Sequence, residues 1–263
     1  MSNAKKWALV TGACINTGVA IVEKFASEGY GVIFTGRDHK KVDDAQKLYR
    51  EKFSDEKIIG YTINSLTDCG NVDEEAVDKL FAFLDGEGIF IDTLVLNAAD
   101  QGLDMKVFES TLSDFVRVMN TNVVWNFCLC EHAAKRMKEA GGGNIIFLNS
   151  NTAYRAIPDR IAYVSSKGGQ LGLMRALALD LGQYNIRVNA VLPGMIRTER
   201  WITNPDFYAT VPSRHTPIGD VANGDDIADA VWYFAAHARN TTGAELVVDG
   251  GNTIQLYPIV KDI

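Results

Sequence analysis

Short aliphatic runs alternate along this chain with longer stretches whose apolar residues recur every three or four positions. Trp7–Val10 is the first run, and it stops at Thr11-Gly12. Val19, Val22 and Ala26, joined by Ile21 and Phe25, then follow helical spacing until Gly29 closes the segment. Val32–Phe34, Thr93–Leu96, Ile145–Leu148, Val188–Val191 and Leu246–Val248 are further runs, each bounded by Gly, Pro, Asn or Asp. Strands buried on both faces read as continuous apolar runs, and helical patterns between them make βαβ units. The pattern therefore predicts an α/β fold, a doubly wound parallel sheet with helices on both faces.

No internal repeat, low-complexity tract or long linker divides the sequence, so residues 1–263 are expected to form a single domain. Gly141-Gly142-Gly143 reads as a turn leading into a strand. The least patterned stretch runs from Thr198 to Asp220 and holds Pro205, Pro212 and Pro217. A connection of that length is expected to act as a substrate lid around 198–220.

Hydrophobic residues make up 47% of the 263, enough for a sizeable core, and the formal net charge is −7. With no basic run, that balance excludes nucleic acid and anionic membrane surfaces as partners. No stretch approaches the roughly 20 apolar residues of a membrane helix. Met1 to Trp7 is short and polar, and the expectation is a soluble, cytoplasmic protein. Cys14, Cys69, Cys128 and Cys130 have neither C-x-x-C nor zinc spacing and read as reduced thiols. His39, His132, His215 and His237 show no ligand spacing, so no metal site is expected.

The candidate chemistry begins where the first strand meets the first helix, at Thr11-Gly12-Ala13-Cys14-Ile15-Asn16-Thr17-Gly18. Small residues in a tight turn let backbone N–H groups approach a pyrophosphate, and the helix N-terminus adds partial positive charge. Placed at the first βα junction, Gly12, Asn16, Thr17 and Gly18 read as a dinucleotide loop of a Rossmann-type domain. At the end of the second strand an acidic residue would hold the ribose 2′-OH of NAD. Here the strand ends Phe34-Thr35-Gly36-Arg37, and Arg37 is suited to a 2′-phosphate, which favours NADP(H) over NAD(H). Arg37 followed by Asp38 also fits a solvated surface pair.

Tyr163 and Lys167 stand four apart at the start of a helical segment and share one face. A phenol with pKa near 10 is a poor base at neutral pH. Lowering it by ~3 units costs about 4 kcal/mol, which a nearby ammonium can supply. In carbonyl reduction Tyr163 would donate a proton, and in alcohol oxidation its phenolate would accept one. Ser150 follows the strand Ile145–Leu148, at the carboxyl edge where open α/β sheets bind ligands, and its hydroxyl could meet the reacting oxygen. A Tyr–Lys pair alone is common on helix surfaces; the loop and the strand-end serine are what raise it to a candidate.

These residues resemble the classical short-chain dehydrogenase/reductase family from end to end. The matching positions are Thr11-Gly12 to Gly18, Asn97-Ala98-Ala99, Asn122, Ser150, Tyr163 with Lys167, Pro193-Gly194 with Thr198, and Asp249-Gly250-Gly251. The family's serine precedes its tyrosine by thirteen positions, as Ser150 precedes Tyr163. The resemblance implies that Asn122 completes a catalytic tetrad by holding a water that relays protons through Lys167. It further implies that Asn97 and Ala98 lie beside the cofactor and that Pro193, Gly194, Ile196 and Thr198 contact the nicotinamide. Three positions depart from the pattern: Asn16 replaces a glycine, Ala99 replaces the glycine of Asn-Ala-Gly, and Ser65 replaces an aspartate that meets adenine.

The lid segment carries Trp201, Phe207 and Tyr208 beside Arg197, Arg200, Arg214 and His215. The aromatics could cover a hydrophobic substrate or dock the lid, and the arginines could meet an anion or face solvent. On the helix after Tyr163, Leu171, Met174, Ala178 and Leu181 form one stripe and Leu173 with Leu177 another, leaving one stripe for a partner subunit; the resemblance implies a homotetramer. Two alternatives accompany a carbonyl/alcohol oxidoreductase. One is a catalytically idle dinucleotide-binding or sensing protein on the same fold. The other is an enoyl reductase, a group whose tyrosine and lysine are separated by six residues, against three here.

Overall fold

The computed structural model describes residues 5–54, 57–203, 205 and 214–256. Seven parallel strands form one sheet in the order β3-β2-β1-β4-β5-β6-β7. They are β1 (Trp7–Val10), β2 (Gly31–Gly36), β3 (Ile58–Thr62), β4 (Thr93–Leu96), β5 (Gly143–Leu148), β6 (Ile186–Pro193) and β7 (Glu245–Val248). β1 and β4 coincide with their sequence runs, while the other four expected strands extend by one to four residues. β3 was not expected: Ile58 is buried, but Ile59 to Tyr61 of this edge strand are partly exposed and Thr62 is exposed, so no continuous apolar run marks it.

Successive strand residues point to opposite faces and build two cores. Leu9, Ile33, Leu94, Phe147 and Val188 pack with α3 (Glu74–Gly86), α5 (Trp125–Glu139) and α6 (Ile161–Leu181). Val10, Phe34, Val95, Ile146 and Val191 pack on the other side with α1 (Thr17–Ser27), α2 (His39–Lys52) and α8 (Gly224–Trp232). This is the doubly wound arrangement the pattern predicts. On α6, Leu171, Met174 and Ala178 are buried, and Leu173 with Leu177 is partly buried against the same core. The second stripe therefore packs largely within the chain.

Two smaller helices matter for the site. α4 (Leu112–Met119) opens on a capping box between Thr111 and Asp114, and it runs through a π turn, Asn120–Val124, into α5. α7 (Glu199–Thr203) begins the expected lid. Residues 204 and 206–213 of that lid, including Phe207 and Tyr208, lie outside the described residues.

Phe147, fully buried next to the carboxyl end of β5, tests the packing. Phe147→Ala is expected to lose ~3–5 kcal/mol in equilibrium urea unfolding. A loss below about 1 kcal/mol, the range of ordinary surface changes, would contradict it.

Candidate active site

The strand order reverses between β1 and β4, and a crevice opens there beyond their carboxyl ends. The loop from Thr11 to Gly18 occupies that crevice, and its shape is held from three sides. From β2, Thr35 accepts from Gly12 N through Oγ1 (3.2 Å) and from Ala13 N through its carbonyl (2.9 Å). From β4, Asn97 Nδ2 donates to the carbonyls of Thr11 (2.8 Å) and Gly12 (2.9 Å), while the amides of Asn97 and Ala98 donate to Thr11 Oγ1 at 3.0 Å. From α2, the Tyr49 hydroxyl donates to Ala13 O at 2.7 Å. A Cβ on Gly12 would lie 2.8 Å from Ala98 Cα, and one on Gly18 would lie 2.5 Å from Ala13 Cα. Glycine is required at both for the close approach.

Asn16 sits at φ 51°, ψ −132°, away from the left-handed helical basin that asparagine tolerates and in territory suited to glycine. The departure from the family's glycine is thus a strained residue, of order 1–3 kcal/mol. Its Oδ1 accepts a long hydrogen bond from Glu199 N (3.5 Å), tying the loop to α7, and no side chain caps α1. Arg37 is exposed at the end of β2 with no ion-pair or hydrogen-bond partner among the described residues. A glycine-lined turn, an uncapped helix start and a free guanidinium at the next strand end fit an extended dinucleotide phosphate. Ser65 Oγ lies 3.5 Å from Thr121 Oγ1.

Across the crevice β5 ends at Leu148, and Asn149 and Ser150 follow. Ser150 Oγ accepts from Thr152 N (3.2 Å), starting the short helical turn Asn151–Ala153, and it pairs with the Thr152 hydroxyl at 3.0 Å. Tyr163 and Lys167 lie on the first turns of α6, with Lys167 Nζ 5.5 Å from the centre of the Tyr163 ring. Asn122, fully buried on the π turn, is held from both ends: Oδ1 accepts from Asp100 N (2.7 Å), and Nδ2 donates to Asp100 O (2.8 Å) and Ser166 Oγ (2.9 Å). Pro193 ends β6 and Gly194 follows it, Ile196 bridges to Ala222, and Thr198 leads into α7. Trp201 Nε1 donates to Ile196 O (3.1 Å), and Arg197 stacks on the Trp201 ring and pairs with Asp220 at 2.7 Å. The lid tryptophan and this arginine serve docking within the segment.

Two groups that sequence reasoning passed over complete the centre. Lys167 Nζ donates to Leu148 O (2.9 Å) and Gln170 Oε1 (3.1 Å), and Asn149 Nδ2 grips Lys167 O (2.9 Å) and Gln170 Oε1 (3.1 Å). The available signal was an amide side chain three positions after Lys167, on the stripe that Leu171 and Met174 bury. Burial pushes the Lys167 ammonium down to about 7. Burial likewise raises the Tyr163 phenol, opposed by its hydrogen bond with Ser150 and by the charge of Arg160. The depression of the phenol by Lys167 anticipated from spacing is not present. A buried ammonium that itself favours the neutral form, bonded to Leu148 and Gln170, lends the phenolate little charge.

Residues 12–253 match the sequence profile of the family described as enoyl-(acyl carrier protein) reductase. A 3alpha-hydroxysteroid dehydrogenase of Mediterraneibacter gnavus is 33% identical, covering 93% of this chain and 96% of its own. An NADP-dependent (R)-specific alcohol dehydrogenase of Lentilactobacillus kefiri is 32% identical over 95% of this chain and 97% of its own. The crystal structure of L-sorbose reductase from Gluconobacter frateurii, complexed with NADPH and L-sorbose, superposes with a TM-score of 0.87 at 26% identity, covering 97% and 99% of the two chains. The chain belongs to the short-chain dehydrogenase/reductase family. It is an NAD(P)-dependent oxidoreductase of alcohol and carbonyl groups.

The loop geometry gives a direct test. Gly18→Ala places a methyl 2.5 Å from Ala13 Cα and 2.9 Å from Asn97 Nδ2 and must spread the crevice. NADPH fluorescence titration is expected to find the dissociation constant raised about tenfold or more, roughly 1.4 kcal/mol. Unchanged binding would mean that the loop does not hold the dinucleotide.

Proposed function

We propose that this dehydrogenase/reductase transfers a hydride between NADP(H) and a carbonyl/alcohol substrate, with Tyr163 as general acid/base. The observation that carries this reading is the convergence of Ser150, Tyr163, Lys167 and Asn122 at the carboxyl ends of β4 and β5, beside the loop at the end of β1. The cofactor supplies the hydride in reduction and takes it up in oxidation.

Gly12, Asn16, Thr17 and Gly18 hold the pyrophosphate at the start of α1, and Arg37 pairs with the 2′-phosphate. Support for the phosphate comes from the free Arg37, from the NADP dependence in the name of the Lentilactobacillus relative, and from NADPH in the sorbose reductase complex. Asn97 and Ala98 line the ribose side, and Pro193, Gly194, Ile196 and Thr198 flank the nicotinamide. Lys167, with two of its three N–H donors on Leu148 O and Gln170 Oε1, would turn the third toward the nicotinamide ribose hydroxyls. In reduction the Tyr163 hydroxyl passes its proton to the carbonyl oxygen as that oxygen becomes an alkoxide, while Ser150 Oγ donates a hydrogen bond to it. Asn122 holds the backbone at Asp100 and, through Ser166, the first turn of α6. The substrate is a small carbonyl or alcohol compound beneath the lid of residues 198–220. The three-residue separation of Tyr163 and Lys167 supports C=O over C=C reduction. We assign the enzyme to the cytoplasm, in keeping with its four free cysteines, and to a homotetramer, for which Val116, Val124 and Phe127 offer exposed apolar surface along α4, the π turn and α5.

Tyr163→Phe is expected to cut kcat/KM by ~10²–10⁴ with the NADPH dissociation constant unchanged; full activity would sink the acid/base assignment, and a wild type inert toward every carbonyl would favour a sensing protein. Arg37→Ala should weaken NADPH about tenfold more than NADH. Equal loss for both would remove the basis for NADP(H).

The pH dependence has a definite sign. With the phenol above its ordinary value, Tyr163 is protonated across the neutral range. At saturating NADPH the phenol should therefore limit reduction only at alkaline pH, while oxidation, which needs the phenolate, should climb with pH. An oxidation optimum below neutrality would contradict this.

A further inference from the structure

Lys167 is 1% exposed, yet the hydrogen-bond partners of its ammonium are neutral. From the end of β5 Leu148 O accepts from it and Asn149 holds the Lys167 carbonyl; from α6 itself come Gln170 Oε1 and the Tyr163 ring; the Asn122 carbonyl, on the π turn, is reached through Gln170. Tyr163 is the titratable group facing Lys167, and Arg160 acts on that phenol in turn. Gln170, also 1% exposed, is the hinge of the arrangement. Its Oε1 accepts from Lys167 Nζ and from Asn149 Nδ2, each at 3.1 Å, and its Nε2 donates to the main-chain carbonyl of Asn122 at 2.6 Å.

The orientation of that amide is forced. Turned over, its NH₂ would face two donors and its oxygen would face a carbonyl. The Asn122 carbonyl also receives Asn126 Nδ2 at 2.9 Å, so both of its lone pairs are used. Gln170 therefore spans the whole interval from Asn122 to the ammonium. An amide has no proton to give or take near neutral pH, so it fixes the ammonium without adding a counter-charge and without relaying a proton.

We propose that Gln170 is a positioning residue for the reaction, an uncharged strut between the Asn122 carbonyl and Lys167 that sets where Lys167 Nζ sits. The inference rests on the role given to Lys167 under Proposed function. It commits residue 170 to neutrality. A carboxylate there would hold the ammonium charged to higher pH, and an apolar side chain would release it.

The test uses the full chain and two readouts. The first is the NADPH dissociation constant against pH, followed by nucleotide fluorescence and needing no substrate; Lys167→Met identifies the inflection that belongs to the lysine. The second is kcat and KM for whichever ketone or aldehyde turns over. Gln170→Glu is expected to move the Lys167 inflection up by about one pH unit or more. Gln170→Met is expected to lower kcat about tenfold with KM for the carbonyl compound changed less than about threefold. If the methionine variant does not fold, Gln170→Asn, one methylene shorter, takes its place with the same expectation. Variants that lose thermal stability but keep the wild-type inflection and kcat would show a merely structural glutamine and overturn the proposal. Activity retained by Tyr163→Phe would overturn the acid/base reading while leaving the substrate-free pH profile to judge Gln170 on its own.

Discussion

A lysine ammonium out of reach of solvent must be surrounded by acceptors or lose its charge, and Lys167 has only neutral ones. Much of the site follows from supplying them. β5 must end where its Leu148 carbonyl is free to accept, and α6 must start close enough for Asn149 to grip both Lys167 O and Gln170. The π turn must bring the Asn122 carbonyl within 2.6 Å of the Gln170 amide. Each of these also positions Tyr163, one turn before Lys167 on the same helix. The tyrosine is placed by the lysine's solvation as much as by its own contacts with Ser150.

The same economy governs the nucleotide side. Thr35, Asn97 and Tyr49 come from β2, the end of β4 and α2, and together they hold the loop between β1 and α1. The loop is consequently an extension of the sheet, and the strand order that opens the crevice also delivers the residues that shape it. Asn16 is the exception, a strained residue that reaches across to α7 and so couples the loop to the beginning of the lid.

Hydrophobic periodicity made the sheet legible because a doubly covered parallel strand has no polar face to confuse the pattern. It lost β3 for the complementary reason, since an edge strand with Ile59 to Tyr61 partly exposed and Thr62 exposed has no such run. Ser150, Tyr163 and Lys167 entered as candidates from spacing, Asn97 and Asn122 from family resemblance. Gln170 and Asn149 were not read, although an amide on a buried helical stripe is itself a signal. What spacing could not supply was the direction of the Lys167 side chain. It suggested an ammonium acting on the phenol, whereas burial depresses the ammonium and raises the phenol together.

The central claim is that Ser150 and Tyr163 act as one unit on the reacting oxygen. The most direct measurement is a double-mutant cycle of Ser150→Ala and Tyr163→Phe on kcat/KM, with the NADPH dissociation constant followed in parallel. Strong non-additivity is expected, with the double variant within about threefold of Tyr163→Phe alone. Losses that simply multiply would mean that the two hydroxyls act independently, and would contradict it.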